Sequence, residues 1–125
     1  MMANVYAAWI GFLAGCLAGV VAGLFFHDDN FLGGYSSWQR RLIRLAHVSF
    51  FGIGLFNLAF ALTARALGIE SGLNVVSVLL VIGAVSMPLV SYLAAYRKPF
   101  RQLFFIPVLS VTGGITLFLW KVLSL

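Results

Sequence analysis

The side chains able to do chemistry are concentrated in one stretch, residues 27–47, HDDNFLGGYSSWQRRLIRLAH, which holds both histidines, both aspartates and Arg40, Arg41 and Arg44. Three uses of these residues are open. His27 and His47, as neutral imidazoles on neighbouring helices, are the ligand type of a haem b iron, with arginines near enough to pair with its propionates. His27, Asp28, Asp29 and His47 together form the mixed imidazole and carboxylate set that zinc, iron or manganese takes. The third use is structural. Asp28 and Asp29 pair with Arg40, Arg41 or Arg44, or these arginines meet lipid headgroups, and the loop is held in shape. Exposed pairs of this kind contribute little each. The sequence favours this third use. Two histidines lack the repeated spacing of a cytochrome, and adjacent aspartates cannot both turn to one centre. Hydrolytic chemistry finds no support. Ser49 is two residues from His47, which on a helix sets the side chains about 160° apart. Gly33 and Gly34 alone are not a phosphate loop. No catalytic residue is assigned, and the chain does not read as an enzyme.

Around this stretch the chain is apolar. Hydrophobic residues make up 62 % and charged residues 9 % of the 125, where soluble domains carry roughly 25 % charged. A single domain of this size could not hide so much apolar surface from water, so the lipid bilayer is its expected solvent. The net charge is +5, but the cations lie between apolar runs, where they orient the chain in a membrane; nucleic acid is not a partner on this reading. The one cysteine, Cys16, can form no disulfide within the chain. Leu13-Ala14-Gly15-Cys16 has the spelling of a lipoprotein cleavage site, yet no basic residue precedes the apolar run and it continues to Phe26. An uncleaved span is the expectation.

Four apolar segments, at about 5–26, 45–67, 73–95 and 103–123, each have roughly the twenty residues a helix needs to cross the hydrocarbon core. They lack the alternation of a membrane barrel, and only helices then satisfy the main chain in lipid. The expected fold is all-α and integral to the membrane: four antiparallel transmembrane helices in one domain, with a short interfacial helix, or a helix extension, from Ser37 ahead of the second span. Ser36 or Ser37 is its expected cap. Six cations lie in the breaks 27–44 and 96–102, against Arg65 and Lys121 on the other side. Both termini are therefore expected outside and both basic loops in the cytoplasm, in a bacterial-type inner membrane.

The first span carries Gly11, Gly15, Gly19 and Gly23 at four-residue intervals, the spacing of a glycine zipper. Such a row lets another helix approach closely. In the second span His47, Phe51, Gly54, Leu58 and Ala61 share a face that could lie on that row, and His27 continues it beyond Gly23. If the faces meet, His27 and His47 come together near the cytoplasmic boundary. Asn57, on another face, is expected to bond across to a neighbouring helix. Pro88 should kink the third span, with Ser86 and Ser91 available to the groups it frees. No ionisable residue lies deep in a span, which argues against a proton-coupled carrier. The sequence thus reads as a non-catalytic subunit or packing partner of a larger membrane complex, or of a homo-oligomer. The alternative is a haem- or metal-binding redox protein using His27 and His47. A small oligomeric channel is a distant third.

Overall fold

The computed structural model describes all 125 residues. It contains four helices and no strands: α1 (Met2–Phe26), α2 (Trp38–Ala66), α3 (Asn74–Tyr96) and α4 (Phe105–Leu123). Short 3-10 segments at Phe31–Gly33 and Lys98–Phe104 complete it. All four helices are long and apolar enough to cross a membrane. The lead-in ahead of the second span is an extension: α2 runs unbroken from Trp38. Ser37 caps it, its hydroxyl accepting from the Arg40 main-chain N–H at 3.2 Å. This satisfies one of the donors that a helix start leaves free.

α2 and α3 are the inner pair. Nine residues of α2 and seven of α3 are buried, against three in α1 and three in α4. α1 packs along α2 and touches α3. α4 packs along α3 and reaches α2 through the Phe60–Phe118 edge contact, with ring centroids 4.9 Å apart. The apolar core lies where α2 turns into α3: Phe60, Ala64, Ile69, Leu73, Val76 and Leu80, with Phe118 and Val122 against it. The turn itself follows from Gly68. With φ at +68°, it accepts the left-handed position that closes α2, and the N–H groups of Gly68 and Ile69 return to the carbonyls of Arg65 and Ala64. This is the Schellman arrangement, and it swings Ile69 into the core.

Both seams between outer and inner helices are built on glycine. A Cβ at Gly15 would lie 2.6 Å from the Phe51 ring, and one at Gly11 3.1 Å from the Phe50 carbonyl. From the other side, a Cβ at Gly54 would meet Phe12 at 2.8 Å. In the α3–α4 seam a Cβ at Gly83 would overlap Val111, and one at Gly114 would press on Leu80. Gly23 differs from the rest of its row: nothing lies within 4 Å of a Cβ there, so α2 does not pack on it.

α3 continues as helix through Pro88, which is buried. The serines do not play the part expected of them. The Ser91 hydroxyl donates to the Met87 carbonyl, one position before the proline, and Ser86 Oγ has no partner. The carbonyl that Pro88 frees belongs to Ala84, four residues back.

Candidate functional site

Two polar clusters stand at opposite ends of the bundle. At the basic end, α1 stops at Phe26 and the chain turns through Leu32, Gly33 and Gly34, all with positive φ. Leu32, at φ +54°, is the one non-glycine residue there, a conformation costing about 1 kcal/mol or more for a side chain with a Cβ. The turn is held by Arg40. One amino group of its guanidinium donates to the main-chain carbonyls of Phe26, at 3.2 Å, and Asp28, at 2.5 Å. The Phe26 carbonyl is one that the end of α1 leaves without a helical partner, whereas the Asp28 carbonyl lies past the helix and also accepts the Phe31 main-chain N–H at 3.1 Å; a cation at this end suits the helix dipole. The guanidinium lies over the Phe26 ring at 4.5 Å and the Phe31 ring at 5.8 Å, and Arg40 is only 3 % exposed. Arg44 repeats the device a turn later. It donates to the Tyr35 carbonyl at 3.0 Å and stacks on the Tyr35 ring at 4.2 Å. Lys98 sits over Trp38 at 5.3 Å, which joins the α3–α4 connection to the same end.

This corrects the expected ion-pair network. The hydrogen bonds of Arg40 and Arg44 go to main-chain carbonyls, and the Asp28 carboxylate instead accepts the Asn30 main-chain N–H at 3.0 Å. Asp28, Asp29 and Arg41 are exposed.

The expected meeting of His27 and His47 does not occur. His27 is the exposed cap residue of α1. His47 packs further down the seam: its Nε2 would be 2.8 Å from a Cβ at Gly19, and its ring stands edge-on to Phe51 at 5.5 Å. Gly19 and His27 are eight residues apart, about 12 Å along a helix axis. The reason lies in the length of α2. Arg40 already faces the end of α1, so His47 is two turns further into the bundle, while His27 is at its edge. The four residues His27, Asp28, Asp29 and His47 therefore do not converge, and no three His, Cys, Asp or Glu side chains are grouped to share a metal ion.

The second cluster was hidden in the apolar runs. Asn4 of α1 and Asn57 of α2 are fully buried and bonded to each other, Asn4 Nδ2 donating to Asn57 Oδ1 at 2.7 Å. Asn4 Nδ2 also donates to the Ser77 carbonyl at 3.2 Å, and the Ser77 hydroxyl donates to Asn4 Oδ1. Asn57 Nδ2 donates to the Ile53 carbonyl at 2.9 Å and across to the Leu80 carbonyl of α3 at 3.1 Å. A carboxamide has two N–H donors and one acceptor oxygen. Every one of these groups on both asparagines is engaged, and the network joins α1, α2 and α3. Asn57 bonding across to a neighbouring helix was legible in the sequence. Asn4 and Ser77 were not singled out, although an asparagine inside an apolar helix is the signal that could have found the first. Beyond this trio the far end opens into a hollow of about 710 Å³, bordered by Arg65, Glu70, Ser71, Asn74 and Ser77.

Chemically, the two clusters bind main chain and helix to helix. Neither sets a nucleophile beside a base. The chain matches no family model, no curated protein and no solved structure. Its four apolar helices make it a small multi-pass membrane protein in contact with the lipid bilayer.

Proposed function

We propose that this protein is a non-catalytic subunit, a packing partner of a larger membrane assembly or of further copies of itself. One observation carries the reading: Asn4, Asn57 and Ser77 are engaged in joining α1, α2 and α3, while α1 offers a long unengaged flank. Ile10, Leu13, Leu17, Val20 and Leu24 are each at least 60 % exposed, and only three residues of that helix are buried. α4 has a similar flank in Leu109, Leu119 and Leu123. Helices in lipid associate through close packing and hydrogen bonds rather than hydrophobic burial. The open Gly23 gives a second helix a place to approach α1.

The orientation follows the charge. Arg40, Arg41, Arg44, Arg97, Lys98 and Arg101 gather at one end with Asp28 and Asp29; Arg65, Lys121 and Glu70 are at the other. The basic end faces the cytoplasm of a bacterial-type inner membrane, with both termini outside.

A photo-crosslinking residue placed at Leu13, and separately at Leu109, tests the subunit reading in native membranes. Capture of one polypeptide from one of these flanks, identical between preparations, supports it; that polypeptide is a partner subunit or a second copy. Adducts with lipid alone, and migration as a monomer in mild detergent, would contradict it.

A further inference from the structure

The hollow at the far end of the bundle brings opposite charges to the border of one space. Its volume, about 710 Å³, lies within the roughly 300 to 1,000 Å³ of small-molecule sites. Arg65, in the last turn of α2, and Glu70, in the link that follows, both border it. The turn at Gly68 places them there: its left-handed conformation closes α2 and folds the link back at the helix end. Neither side chain has a hydrogen-bond partner within the chain, and the two are not ion-paired. A second cation stands at the same margin. Lys121, in the last turn of α4, has its Nζ 3.1 Å from the position of a Cβ at Gly72, which borders the hollow.

The lining residues select the ligand. Ser77 is already bound to Asn4 through both its hydroxyl and its carbonyl. What remains is the charged margin and an apolar wall that includes Val5 and Leu62. A guanidinium with a lysine near it suits an oxyanion, and matches the geometry of a carboxylate. The one acid, Glu70, suits an ammonium group. The apolar wall suits a hydrocarbon body on the same molecule. A bare inorganic anion would leave Glu70 as a repulsive neighbour. An acyl chain would cover charged groups without pairing them.

We propose that this hollow binds a small zwitterion, an α-amino acid with an apolar side chain. Arg65 takes its carboxylate, with Lys121 adding to the local positive potential. Glu70 takes its ammonium group, and its side chain rests on Val5 and Leu62. The lining comes from α1, α2 and α3, so binding stabilises the arrangement that Asn4, Asn57 and Ser77 hold. The site is independent of whether α1's outer flank meets a protein partner.

Thermal unfolding of the intact protein in detergent, with L-leucine, L-methionine and L-phenylalanine each titrated to about 10 mM at fixed ionic strength, tests it. The expected result is a saturable rise in melting temperature with at least one of them. Two analogues of that amino acid, its amide and its N-acetyl form, lack the carboxylate and the ammonium respectively. Each should need at least about tenfold more for the same rise. Arg65 and Glu70 are exposed, so their variants keep the fold. In Arg65→Gln the amide becomes as effective as the amino acid, and in Glu70→Gln the N-acetyl form does. Three results would overturn the proposal: no rise with any of the three amino acids, an equal response of the unaltered protein to either analogue, or unchanged discrimination in either variant. An N-acetyl form as effective as the amino acid would mean a plain anion site.

Discussion

The two ends of the bundle handle polar groups in opposite ways. At the basic end the functional groups are dense in sequence, and the hydrogen bonds of its arginines are local. Arg40 reaches back only as far as Phe26 and Asp28, and Arg44 reaches Tyr35. At the far end the polar groups are sparse and their contacts are long-range: Asn4 meets Asn57 and Ser77, 53 and 73 residues away. The basic end shapes one turn and fixes where α1 stops. The far end fixes how three helices stand together. Density of reactive side chains therefore marks the less consequential of the two clusters for the tertiary fold. The difference follows from the solvent. A guanidinium beside a helix end and a turn has main-chain carbonyls within reach, whereas an amide in the apolar interior must find its partners in other helices.

The contrast can be broken or sharpened by substitution. The largest effect is expected from Asn57→Val. It removes the bonds to Asn4 and Leu80 and leaves one N–H of the buried Asn4 amide unpaired, a cost of about 2 to 3 kcal/mol in reversible unfolding from detergent or bilayer. Arg40→Ala comes next, at about 2 kcal/mol, through loss of two charged hydrogen bonds and the stacking on Phe26 and Phe31. Asp28→Asn together with Asp29→Asn is its companion and should change stability by no more than about 0.5 kcal/mol. If the aspartate pair proved as damaging as Arg40→Ala, the carboxylates would be the arginines' true partners, and the main-chain account of this end would fail.

Much of this was legible in the sequence. The four spans, the helical lead-in from Ser37 and the grouping of basic loops follow from run length, capping residues and charge, all local properties. The approach of Phe51 and Gly54 to α1 follows from helical periodicity. What escaped depended on register. His27 and His47 were expected to meet because helices joined by a loop have their loop-side ends at similar depth. That rule holds for Phe26 and Arg40, but α2 begins nine residues before His47, so the histidine pair is offset by two turns. The Asn4–Asn57–Ser77 network was partly invisible for a similar reason. One asparagine announces a need for partners, and nothing local says which helices provide them. Arg40's choice of carbonyls over carboxylates depends on the turn at Leu32, Gly33 and Gly34, which only three-dimensional geometry reveals.

Smaller effects test the seam that links the two ends. Gly19→Ala sets a methyl group 2.8 Å from His47 Nε2, and should destabilise by about 1 kcal/mol as the ring is displaced. Gly23→Ala meets open space, and should be neutral or stabilise by up to about 1 kcal/mol through helix propensity. The order of the two unfolding free energies checks the register directly. If Gly23→Ala were the more harmful in the isolated chain, α2 would lie closer to the basic end than described.

Asn4, Asn57 and Ser77, far apart in the chain, act as one unit holding α1 to α2 and α3. A double-mutant cycle on Asn4→Ala and Asn57→Ala, read by reversible unfolding in a bilayer, measures that coupling. A buried bond between these amides predicts a coupling energy of about 1 kcal/mol, at the upper half of what interhelical bonds show. Additive effects, with coupling below about 0.3 kcal/mol, would mean that the two asparagines do not hold the helices together.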